Sequence, residues 1–133
     1  MLDKILCVDD DPITLMLCRK VVERVDFAKE IITAKNGLEA IEYFDSLFEE
    51  RKVNDSIVYP ELVLLDLNMP VMDGYTSTKK IREFNQDTPI MALTASATSD
   101  IREKIFAAGM QDYVTKPFDS DQLFSQMKRA MKK

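Results

Sequence analysis

Carboxylates gather at two places in this 133-residue chain: Asp9-Asp10-Asp11 directly after the apolar run Ile5-Leu6-Cys7-Val8, and Asp66 directly after Leu62-Val63-Leu64-Leu65. Two other apolar runs end in different chemistry, Pro89-Ile90-Met91-Ala92-Leu93 at Thr94 and Tyr113-Val114-Thr115 at Lys116. Carboxylates brought together repel one another, and a hard divalent cation bound through oxygens is the natural compensation. A hydroxyl and an ammonium beside them would complete a site for a phosphoryl group, whose oxygens must be held while charge redistributes. The chain has no histidine. That removes imidazole acid–base catalysis, Ser-His-Asp triads and most zinc sites.

Each of these residues also has an ordinary use. Asp11-Pro12 reads as a helix N-cap followed by proline at the first helical position. A threonine ending a strand or a lysine before proline is commonly unremarkable, and Asp73-Gly74 reads as a turn. What carries weight is their shared placement. In an open parallel sheet, ligands bind outside the carboxyl ends of the strands.

Such a sheet is what the apolar pattern predicts, because short apolar runs alternate with longer amphipathic ones. Strands are predicted at 5–8, 31–34, 62–65, 89–93 and 113–115. The first helix would turn Ile13, Met16, Leu17, Val21 and Val25 inward. The second would start at Asn36-Gly37, capped by Asn36 with Glu39 three residues on, present Leu38, Ile41, Phe44 and Phe48 to the core, and run to about Arg51. A polar segment, 52–60, follows. A polar third helix would end near Phe84. A fourth, over 99–108, would stop at Gly109. Asp119 and Gln122 form a capping box for a last helix bearing Leu123, Phe124, Met127 and Met131. The expected architecture is α/β, five strands and five helices in one domain over 1–133, with no output domain.

Composition narrows the partners. A net charge of -5 with a pI near 4.8 argues against a nucleic-acid backbone as a direct partner. No apolar stretch approaches the roughly 20 residues needed to span a bilayer, and charges at Asp3 and Lys4 break up any secretory signal. The expectation is a cytoplasmic protein without membrane insertion. Cys7 and Cys18 stand in apolar contexts without metal-ligand spacing, as reduced, buried thiols do.

Four segments together resemble the response-regulator receiver domain of two-component signalling, with the single-domain chemotaxis regulator as its familiar form. They are residues 5–10, the run Leu64-Leu65-Asp66-Leu67-Asn68-Met69-Pro70-Val71-Met72-Asp73-Gly74, Ala92-Leu93-Thr94-Ala95, and Tyr113-Val114-Thr115-Lys116-Pro117-Phe118. The resemblance implies a flavodoxin-like doubly wound sheet of order 2-1-3-4-5. It implies that Asp66 is the phosphoacceptor and that Mg²⁺ is held by Asp10 and Asp66, by the backbone carbonyl of Asn68, and by Asp9 directly or through water. Thr94 and Lys116 would bind the phosphoryl group, and Lys116-Pro117 would be cis. Asn68 and Ser96 would tune the lifetime of the phosphorylated state, which ends by autodephosphorylation.

The implied donor is a phosphohistidine on a sensor histidine kinase or a histidine phosphotransfer protein. Thr94 and Tyr113 would form the switch, read by a downstream protein at the face of helix 4, strand 5 and helix 5. No turnover of an external substrate is expected. A stand-alone regulator is favoured over a receiver segment of a hybrid kinase. Two other classes fit the residues less well. An aspartyl phosphohydrolase would carry a second Asp two residues after its nucleophile, where this chain has Asn68, and would need a cap domain. An FMN-binding flavodoxin would need a glycine- and hydroxyl-rich first loop in place of Asp9-Asp10-Asp11. One departure from the family pattern is extra length between Asn36-Gly37 and Asp66, through 46–60, read as a longer second helix plus a surface loop, or else as an added contact surface.

Overall fold

The computed structural model describes residues 2–24 and 26–132. Its elements alternate as β1 (Leu2–Val8), α1 (Pro12–Arg24), β2 (Ala28–Ala34), α2 (Gly37–Arg51), β3 (Leu62–Asp66), α3 (Gly74–Phe84), β4 (Ile90–Thr94), α4 (Ser99–Ala108), β5 (Asp112–Thr115) and α5 (Ser120–Met131). The strands form one parallel sheet of order β2-β1-β3-β4-β5. The expected fold is the observed one. β1 and β2 begin three residues earlier than the apolar runs suggested, because the charged pairs Asp3-Lys4 and Lys29-Glu30 separate Leu2 and Ala28 from those runs.

Strand alternation divides the core into two layers. Ile5, Cys7, Leu62, Leu64, Met91 and Leu93 face α1 and α5, while Leu6, Val8, Val63, Leu65, Ile90 and Ala92 face α2, α3 and α4. β3 and β4 are buried on both faces, which is why their sequences are continuous apolar runs. Caps fix where the helices start. Asn36 accepts from Glu39 N, Asp73 from Thr76 N and Thr98 from Ile101 N. Asp119 and Gln122 close the predicted capping box, and Gly109 ends α4 at φ 106°.

Two helix faces differ from expectation. In α1 the buried residues are Thr14, Cys18, Val21 and Val22, whereas Ile13 and Met16 are exposed at 69% and 50%. Val25, also expected inward, lies outside the described residues. In α2 the buried set is Gly37, Ala40, Phe44 and Leu47, with Leu38 and Phe48 at the surface. The apolar residues of both helices cover more than one stripe, so periodicity alone allowed two choices of inner face. Packing against the sheet takes the smaller side chains Cys18 of α1 and Ala40 of α2, while Gly37 packs on Met72 and Ser77. Phe48 instead meets Phe84 edge-on, with ring centroids 5.5 Å apart.

α2 does run to Arg51, and the long segment after it is a surface loop. Arg51 ties that loop back, donating to Ile57 O at 2.7 Å and lying over the Tyr59 ring, which in turn stacks on Phe44. At the amino end of the sheet Arg82 makes a second tie. Its guanidinium donates to the carbonyls of Gly109, Thr88 and Asn85 and to Gln111 Oε1, whose oxygen also accepts from Ile90 N. Cys7 and Cys18 are both free and fully buried, with Sγ atoms 3.0 Å apart. That contact, together with burial, holds the Cys7 thiol well above its ordinary pKa.

Candidate functional site

The sheet register assembles the site. Val8 pairs with Leu65, so the next residue on each strand, Asp9 and Asp66, stand side by side. Thr94 pairs with Thr115 at the other side, which brings Lys116 to the same edge. Backbone hydrogen bonds extend the ladder one residue past the strand ends, from Asp9 N to Ala34 O, Leu67 N to Leu93 O and Lys116 N to Thr94 O. The functional side chains therefore hang from a rigid edge.

Asp9, Asp10 and Asp66 each offer a carboxylate oxygen within 4.8 Å of the others. Asp9 and Asp66 are buried and Asp10 is exposed. Lys116 donates to Asp9 Oδ2 at 2.8 Å and lies 3.6 Å from Asp66 Oδ2. The other oxygen of Asp9 accepts from Asp11 N at 2.9 Å, and Asp66 Oδ1 accepts from Asn68 N at 3.1 Å. Asp11 caps α1, accepting from Ile13 N, and does not join the cluster. Asp73 likewise caps α3.

Burial raises the Asp66 carboxyl to a pKa of about 6; the Asn68 N–H and Lys116 pull it down, and the neighbouring Asp9 adds to the rise. Burial alone would lower the Lys116 ammonium, but its hydrogen bond to Asp9 and the charges of Asp9 and Asp66 outweigh that and leave it raised. The site thus holds three carboxylates against one ammonium, an excess of negative charge made of hard oxygen donors. That donor set fits Mg²⁺. Proton and cation compete for Asp66, so Mg²⁺ affinity is expected to strengthen about tenfold per pH unit up to about pH 6 and then flatten. Calorimetric titration between pH 5 and pH 8 checks this; an affinity that does not change below pH 6 contradicts the shifted carboxyl.

Thr94 is buried at the same edge, but its hydroxyl is turned to its own loop, donating to Ser96 O at 2.8 Å and accepting from Ser96 N at 3.2 Å. Tyr113 is half-buried on the outer side of β5. It lines two adjoining clefts, one with Gln122 and Ser125 of α5 and the other with Phe106 of α4 and Arg129 of α5. The Lys116-Pro117 bond is cis. Sequence reasoning missed the Lys116–Asp9 ion pair, since nothing in one dimension says which acid a lysine selects. It also missed the glycine beneath Asp66: a Cβ on Gly74 would lie 2.6 Å from Asp66 O.

Comparison with known proteins agrees with this fold. The sequence model described as the response regulator receiver domain matches residues 5–128. The sensor histidine kinase CheAY of Helicobacter pylori is 32% identical over 130 residues, covering 96% of this chain; the chain spans only 15% of that kinase. Among solved structures, the chemotaxis response regulator CheY4 of Vibrio cholerae superposes with a TM-score of 0.78 at 25% identity, covering 98% of this chain and 99% of its own. The receiver domain of the sensor histidine kinase PA1611 from Pseudomonas aeruginosa, solved with a magnesium ion in its active-site cleft, gives a TM-score of 0.75 at 29% identity with both chains fully covered.

Proposed function

The chain belongs to the response regulator receiver domain family, and on that premise we propose that it is a phosphorylation switch in which Asp66 accepts a phosphoryl group from a phosphohistidine on a sensor histidine kinase or a histidine phosphotransfer protein. The observation that carries this is the convergence of Asp9, Asp10, Asp66 and Lys116 at one sheet edge. A carboxylate oxygen of Asp66 attacks phosphorus as the bond to the donor's imidazole nitrogen breaks, giving an acyl phosphate on the chain itself. Mg²⁺, held by Asp9, Asp10, Asp66 and the backbone carbonyl of Asn68, would supply charge neutralisation for nucleophile and transferred group. Water later cleaves the acyl phosphate and resets the switch. No external substrate is consumed.

The readout follows from where the other residues sit. Lys116 and Thr94 bind the new phosphoryl oxygens, for which the Thr94 hydroxyl gives up its contacts to Ser96. Tyr113 then repositions between its two clefts, and the partner-binding face of α4, β5 and α5 changes population. The magnesium in the PA1611 receiver's cleft supports the metal assignment. Incubation with Mg²⁺ and acetyl phosphate should label the protein, and beryllofluoride should shift the resonances of α4 and β5. Labelling that survives unchanged in Asp66→Asn would sink the assignment.

An open depression of about 400 Å³ flanks the carboxylates, lined by Ile13, Leu17, Phe118 and Lys116 among others. Exposed apolar side chains beside an anionic site suit a protein donor and are useless to a small one. Ile13→Asp is therefore expected to slow transfer from a phosphorylated histidine phosphotransfer domain about tenfold or more, while leaving labelling by acetyl phosphate within about twofold. Equal losses with both donors would contradict a docking role for this collar.

A further inference from the structure

The loop between β3 and α3, residues 67–73, contains the strongest backbone anomaly of the described residues. Val71 has φ 71°, a conformation disfavoured for any side chain and most of all for a β-branched one. Met72 N donates to Pro70 O at 2.8 Å, so Val71 is the centre of a γ-turn of the strained, positive-φ kind. Such a turn persists only where the surroundings over-determine it.

The base of the loop is anchored to the sheet. Gly74 N donates to Leu67 O at 3.1 Å, Asn68 N donates to Asp66 Oδ1, and Gly74 lies flat against the Asp66 carbonyl. Its outer limb is met by a different element. Gly37, the first residue of α2, packs so closely on it that an added Cβ would collide with Ser77 Oγ and lie 2.8 Å from the Met72 carbonyl and 3.0 Å from Met72 Cβ. Ser77 Oγ is itself committed to Asp73 O at 2.8 Å, which fixes that side of the contact.

We infer that Gly37 is a positioning residue for the cation site: the first turn of α2 abuts the loop at the Met72 carbonyl and holds it in the shape that presents Asn68. This rests on the Mg²⁺ assignment above and adds a lever to it. A helix carrying none of the metal donors sets the geometry of one of them. The requirement for glycine at 37 is then a requirement for close approach, since no positive φ is involved there.

The test is a Mg²⁺ titration followed by calorimetry and by the amide resonance of Asn68, on the wild type, Gly37→Ala, Ser77→Ala and the double variant. Gly37→Ala should bind Mg²⁺ about tenfold more weakly, as losses in supporting contacts around metal ligands do. Ser77→Ala should bind like the wild type, and the double variant should stay weak, because the clash with the Met72 carbonyl remains. Restored affinity in the double variant would assign the effect to the Ser77 side chain and overturn the inference, as would a folded Gly37→Ala with wild-type affinity. A wild type that binds no Mg²⁺ would instead overturn the metal assignment, and the inference with it. Should Gly37→Ala fail to fold, Asn36→Ala loosens the same turn by removing its cap. It should weaken Mg²⁺ binding about twofold to threefold, and unchanged affinity there would overturn the inference.

Discussion

Asp66→Asn is expected to abolish phosphorylation and, in the same molecule, to stabilise the metal-free protein at neutral pH by on the order of 2 kcal/mol. Asp66 sits buried beside Asp9, and its carboxyl is raised from the ordinary 3.8 to about 6. A raised carboxyl makes the folded state the better proton binder between those two values. Its stabilising contribution is therefore fully present below about pH 4 and is lost as pH rises through about 6. At roughly 1.4 kcal/mol per unit, the loss approaches about 3 kcal/mol. Asparagine keeps an oxygen for the Asn68 N–H and gives up the attraction of Lys116, which reduces the gain. Denaturant unfolding with chelator at pH 4, 5.5 and 7.5 should show the variant's advantage growing from near zero to its full size. An advantage independent of pH, or a variant less stable at pH 7.5, contradicts it. Adding Mg²⁺ should shrink the gap, because a ligand of the native state raises wild-type stability.

Arg82→Met is expected to cost about 3 kcal/mol while leaving phosphorylation intact. The guanidinium satisfies the carbonyls of Gly109, Thr88 and Asn85 together with Gln111 Oε1, joining the end of α3 to the turns before β4 and β5. Methionine fills much of the volume but supplies no donor, so partly buried acceptors lose charge-assisted hydrogen bonds. Arg82→Lys should recover only part of the loss, since one ammonium cannot reach acceptors spread over the planar fork. The contacts lie at the end of the sheet opposite the carboxylates, so labelling by acetyl phosphate should proceed at the wild-type rate in the folded variant. A loss of stability below about 1 kcal/mol, or a loss of labelling in folded protein, would contradict this.

The strand ends were legible because burial on both faces forces continuous apolar runs, and the first polar residue after each run marks the edge. Asp9, Asp66, Thr94 and Lys116 were found that way, and the caps at Asp11, Asn36 and Asp119 from local side-chain chemistry, whereas Asp73, which reads as a turn residue, caps α3. The inner faces of α1 and α2 were legible only in part: Val21 and Phe44 are buried as expected, but their neighbours on the chosen stripe are not. Ile13, Met16, Leu38 and Phe48 are as apolar as core residues, and only the sheet decides which stripe it takes. The tie made by Arg82 and the pairing of Lys116 with Asp9 join residues far apart in sequence, and composition carries no trace of either. Gly37 and Gly74 looked like turn residues; close approach by a neighbouring backbone is what their positions require.

Every side chain in the acidic site stands within two residues of a strand end, while the exposed apolar residues beside it belong to α1 and the clefts around Tyr113 belong to α4 and α5. Under the proposed function, reaction and address are written on different parts of the molecule. The solvent-facing halves of α1, α4 and α5 could be grafted from another receiver to redirect who speaks to this one and who listens, with the sheet edge transplanted nowhere and its chemistry left as it is.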